Sequence, residues 1–149
     1  MKRIYILPGY GSNCFEPEYV ELTQALTKKG YEVIGINPNW YKPISEQTFR
    51  IEPDSQIIGF SYGSVLAYLI TCKYPCKRVI LTCLSPIHEF NFELLYNDNL
   101  SHSMSHEVAT EQANDVLSLK IDKTKILCPF IEIDNEEHIL PTKQIVELF

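Results

Sequence analysis

The residues Gly59-Phe60-Ser61-Tyr62-Gly63 set a hydroxyl between two glycines, where one apolar run ends and another begins. This G-x-S-x-G spacing has a physical use. A serine on a sharp turn from strand to helix presents its hydroxyl beyond the sheet edge, and small neighbours let strand and helix pass closely. The following helix aims its positive N-terminal end at the place where negative charge develops during acyl transfer. Ser61 therefore reads as a nucleophile. The run Pro8-Gly9-Tyr10-Gly11-Ser12-Asn13 adds a second glycine-rich loop. There the backbone N–H of Tyr10 can join that of Tyr62, the residue after the serine, as a two-donor oxyanion hole. The loop fits neither G-x-G-x-x-G nor G-x-x-x-x-G-K-[ST], so a phosphate cradle is disfavoured.

Alternating elements must carry these residues. Short apolar, β-rich runs at 3–7, 31–37, 55–60, 77–86 and 123–134 predict five strands. Helices are predicted at 17–30, 62–74 and from 141 onward, with at most a short one at 45–50. The first helix has Pro17 at its start, Lys28 and Lys29 in its last turn and Gly30 as its stop. Residues 87–122 form an insert with one or two short amphipathic helices. Strands alternating with helices imply an α/β fold in three αβα layers, with a mostly parallel sheet of about five strands in one domain. Ligands of such sheets bind at the carboxyl ends of the strands.

The segments "YILPGYGSN", "IIGFSYGSVLA", "VILTCLSP" and "FIEIDNEEHILP" follow one another in an order that resembles the α/β-hydrolase superfamily. The resemblance spans about residues 3–85 and 123–149 and is to a small member with little cap. It implies a serine hydrolase with a triad in the order nucleophile, acid, histidine. The family's acid stands about four residues before a proline, which points to Glu137 ahead of Pro141; Asp134, at the strand end, is the other candidate. The family's histidine would follow one more strand, and Phe149 closes this chain inside the preceding helix. Either this is a truncated or pseudo-enzymatic version of the family pattern, or one of the four histidines has taken over as base. His138 lies in the acid loop, with Asp134 four residues before it. His88 follows the fourth strand. His102 and His106 sit at i, i+4 spacing in the insert, which suits a metal on one helix face but lacks a third ligand. His138 is the favoured base, with His88 behind it.

Composition narrows the function further. A net charge of −6 without a Lys/Arg cluster excludes a nucleic-acid surface. The longest N-terminal apolar run, Ile4 to Leu7, is too short for a signal h-region, and no run approaches the roughly 18 residues of a membrane span. Five scattered cysteines (14, 72, 76, 83, 128) read as buried free thiols in a reducing cytoplasm. Cys72 and Cys76 lack the second pair of a zinc site. The expected activity is hydrolysis of a small neutral or apolar acyl ester or thioester, without cofactor or metal. The pocket would be lined by Tyr10, Phe15, Trp40, Tyr41 and Tyr62. An open sheet edge would suit a homodimer. Two other readings share the fold: a catalytically impaired hydrolase scaffold that binds a ligand or partner, and a flavodoxin-like ligand-binding domain.

Overall fold

Strand β1 (Arg3–Leu7) alternates Ile4 and Ile6 with Tyr5 and Leu7, and all four are buried. A strand apolar on both faces belongs inside a parallel sheet covered on both sides. The computed structural model, which describes residues 2–84, 92–101 and 105–149, has that arrangement. β2 (Glu32–Gly35), β3 (Gln56–Phe60), β4 (Arg78–Thr82) and β5 (Phe130–Ile133) complete an all-parallel sheet in the order β2-β1-β3-β4-β5. The flanking helices are α1 (Pro17–Lys28), α2 (Tyr62–Lys73), α3 (Phe92–Ser101), α4 (His106–Ser118) and α5 (Thr142–Glu147). The expected three-layer α/β fold is therefore observed.

The two faces build two cores. On one, Tyr5, Leu7, Ile57, Val79 and Leu81 pack against Val65, Leu66 and Ile70 of α2. Leu95 of α3 and Ala113 and Val116 of α4 extend this core, so α2 is sandwiched between sheet and insert. That position explains why α2 is apolar nearly all round, with every residue from Tyr62 to Tyr68 buried. On the other face Ile4, Ile6, Ile58 and Ile80 meet Tyr19, Leu22 and Leu26 of α1 and Ile145 of α5.

Several elements are shorter than their sequence patterns. The fourth apolar run is a strand only to Thr82, because Cys83 turns to a positive φ of 54°. The fifth begins at Phe130, behind a single 3₁₀ turn at Lys123–Lys125 capped by the Asp122 carboxylate. The helix expected at 45–50 is one 3₁₀ turn at Ile44–Glu46. Among the described residues the insert forms two helices. Among the described residues no helix is long and apolar enough to cross a membrane.

This topology positions a crevice. The chain leaves β1 for β2 on one side and returns to β3 on the other, so the carboxyl ends of β1 and β3 form the switch point where ligands of such sheets bind. The approach there is close. A Cβ on Gly63 would stand 2.1 Å from the Leu7 carbonyl oxygen and 2.5 Å from that of Pro8. Gly30, at φ 90°, faces open space and is needed only for its backbone conformation. Gly63→Ala is expected to lower unfolding free energy by about 3 kcal/mol or more, and Gly30→Ala by only about 1–2 kcal/mol. Urea denaturation of the two variants measures the difference.

Candidate active site

Ser61 is the residue at which β3 becomes α2, and its backbone is strained, with φ 55° and ψ −117°. No glycine stands there to take a left-handed conformation cheaply, so the surroundings must enforce it. They do so through Thr82 at the end of β4. Its carbonyl accepts from Ser61 N–H at 2.9 Å and from the Ser64 hydroxyl at 2.8 Å. Its own N–H donates to Ser64 Oγ at 3.0 Å, and its hydroxyl donates to the Gly59 carbonyl at 2.7 Å. Ser61 O accepts the first helical bonds, from Ser64 and Val65 N–H. The serine itself is only 7% exposed.

His138 completes a pair with it. Its Nε2 lies 2.9 Å from Ser61 Oγ, across 77 residues of chain. With the ring proton on Nδ1, Nε2 accepts from the serine hydroxyl, as a general base must. The imidazole leans on the Phe60 ring, with centroids 5.3 Å apart. The turn that carries it is shaped by Asn135. The Asn135 side chain accepts from Ile139 N–H at 3.0 Å and donates to Ile139 O at 2.7 Å, while its carbonyl receives His138 N–H at 3.4 Å. His138 takes a φ of 51° within this turn.

The carboxylates expected beside it are not brought to it. Asp134 and Glu137 are exposed, and among the described residues no hydrogen bond or ion pair joins either to His138. A turn held by Asn135, rather than a helical one, replaces the i, i+4 geometry that would have set Asp134 against the ring. His88 and His102 lie outside the described residues. His106 is on the insert, where Nδ1 hydrogen-bonds the Tyr96 hydroxyl. Among the described residues no cluster of three or more His, Cys, Asp or Glu side chains could hold a metal ion.

The loop after β1 runs beside the serine: a Cβ on Gly9 would come within 3.6 Å of Ser61 Cβ. Gly9 N–H is already committed to the Tyr19 hydroxyl at 3.0 Å. Tyr62 opens α2, where N–H groups have no partner within the helix. Behind the pair, Tyr10, Trp40 and Tyr62 form an aromatic wedge with centroids 4.7–6.5 Å apart. Burial pushes the Tyr10 phenol up to about 12 and raises Tyr62 too, with the Asp98 charge adding to both. Trp40 is thus a buried support, its indole N–H donating to Ser12 O. Phe15 and Tyr41, expected in the pocket, are instead 81% and 64% exposed. Phe15 borders a separate cleft with Cys14 and Gly35.

A cleft of about 190 Å³ opens over the pair, lined by Gly9, Tyr10, Ser12, Phe60, Ser61, Asp98 and His138. A second, of about 380 Å³, lies on the other side of His138 and includes Glu18, Tyr19, Glu21 and Leu140. The chain matches no protein-family model and no curated protein.

Residue pattern pointed to Ser61, His138, Tyr10 and Tyr62. It missed Thr82 and Ser64, whose roles depend on strand register, and Asp98, which arrives from the insert. Asn135 carried a signal, since Asn shapes turns of this kind. Asn135→Ala is expected to speed hydrogen exchange at the Ile139 amide at least tenfold and to leave the core strands protected. Exchange followed by NMR would show whether the turn depends on this one side chain.

Proposed function

We propose that the protein is a serine hydrolase of carboxylic esters or thioesters, related in design to the α/β-hydrolases. The 2.9 Å approach of His138 Nε2 to a strained, left-handed Ser61 carries this reading. Ser61 Oγ attacks the acyl carbon while His138 takes its proton. The same imidazolium then protonates the departing alcohol or thiol, and water repeats the sequence on the acyl-enzyme. The N–H groups of Tyr62 and Tyr10 hold the oxyanion. The base is oriented by the Asn135 turn and the Phe60 ring, so Ser61 and His138 act as a dyad. Asp134 and Glu137 contribute only their nearby charge.

A fluorophosphonate probe, which labels only activated serines, tests the assignment. Wild type should label, and Ser61→Ala should not. His138→Ala should slow labelling by about 10²–10⁴-fold. Asp134→Asn and Glu137→Gln should each cost less than about tenfold, far below the ~10⁴ lost when a true triad acid is neutralised. Unlabelled wild type would leave a non-catalytic binding scaffold, the reading favoured by the lack, among the described residues, of a carboxylate contact at His138.

The cleft also suggests a charge preference. Asp98 lines it, and among the described residues neither cleft beside His138 is lined by Lys or Arg. Esters with an anionic acyl chain should therefore react roughly five-fold more slowly than neutral ones, a difference of about 1 kcal/mol. Asp98→Asn should narrow that gap in kcat/KM measured on matched ester pairs.

A further inference from the structure

The opposite edge of the sheet holds chemistry that the proposed hydrolase does not use. Cys76 lies between α2 and β4, Cys128 lies just before β5, and their sulfurs are 3.3 Å apart. Backbone bonds on both sides of Cys128 hold this approach: Leu127 N–H donates to Thr71 O at 2.9 Å, and Val79 N–H donates to Pro129 O at 3.0 Å. All five cysteines are free thiols. We propose that Cys76 and Cys128 are a redox-modification site that closes to a reversible disulfide on reaction with a low-molecular-weight disulfide.

The geometry requires little movement. A disulfide brings its sulfurs to about 2.05 Å, so the gap must shorten by roughly 1.3 Å. Side-chain rotation can supply that while the bracketing backbone bonds persist. The order of attack also follows from the structure. The Cys76 thiol donates its hydrogen bond to Cys128 sulfur, which lowers the Cys128 thiol from its ordinary value and raises Cys76. Burial raises Cys14, Cys72 and Cys83, so Cys128 alone moves toward the reactive thiolate. Cys128 is also half-buried, whereas Cys76 is only 7% exposed.

The steps balance. Cys128 thiolate attacks one sulfur of the reagent, forming a mixed disulfide and releasing one thiolate. Cys76 gives up its proton to solvent and attacks the Cys128 sulfur, expelling the second thiolate. The protein loses two hydrogens and two electrons, and the reagent is reduced to two thiols. The new bond ties the start of β4 to the start of β5 and closes a loop containing the whole insert.

The test treats folded wild-type protein with oxidised glutathione, alkylates remaining thiols and maps the peptides. The expected product is two hydrogens lighter, carries a Cys76–Cys128 link that reductant reverses, and melts roughly 5 °C or more higher. Cys76→Ser should stop at one glutathione on Cys128, and Cys128→Ser should remain unmodified at Cys76. Cys72→Ser should still form the link. Unchanged wild-type mass, a stable mixed disulfide in wild type, or a Cys72–Cys128 link would each overturn the proposal. All of these readouts are independent of hydrolase activity.

Discussion

The hydrogen bonds that Thr82 makes across β3 and β4 hold the candidate site together. A non-glycine residue in the conformation of Ser61 costs on the order of 1–3 kcal/mol. Each of the buried bonds to Thr82 contributes about 1 kcal/mol, so the group together can offset that strain. The arrangement works only in one register, with Phe60 opposite Thr82. A slip of one residue would turn every side chain of β3 to the other face. The two separate cores, Ile57 on one side and Ile58 on the other, oppose that slip. Core packing thus sets the register, the register places Thr82, and Thr82 shapes the serine turn.

The two members of the Ser–His pair are held very differently. Ser61 stands on buried elements from three directions. His138 stands on an exposed turn held by Asn135 and by contact with Phe60. A rigid serine beside a locally supported histidine suits the proposed proton transfer, because the imidazole needs only to reach the hydroxyl. The short helix α5 fixes the far end of the loop by burying Ile145 against Ile4 and Ile6.

What could be read from sequence follows the range of each interaction. Strand β1, helix α1 and the G-x-S-x-G turn carry local signals: alternation, Pro17 and Gly30 punctuation, and small residues at a close approach. All three stand in the structure near their expected bounds. Strand β4 was overextended because Cys83 and Leu84 are as apolar as the strand before them and are equally buried. Their burial comes from the core beneath a turn, which hydrophobicity cannot distinguish from a strand. The support of His138 is hard to read from spacing for a related reason. Carboxylates at inviting spacing suggested a helical turn, while Asn135 directs the backbone into a different one. Asp98, Asn99 and Gln112 act through the docking of the insert, and single-chain spacing contains no record of that contact.

Tyr62 belongs to two parts of the molecule at once. Its amide opens α2 beside Ser61, while its hydroxyl donates to Asn99 Oδ1 on α3 at 2.9 Å. Asn99 in turn donates to Ala109 O of α4, and Gln112 of α4 donates to the Trp40 carbonyl behind the same aromatic wedge. The insert is therefore joined to the residue whose N–H would face a developing negative charge. In mechanical terms this side chain is a lever: anything that lifts α3 pulls at one end, and the other end sits next to Ser61. Seating the insert and orienting the residue that follows Ser61 are therefore mechanically coupled.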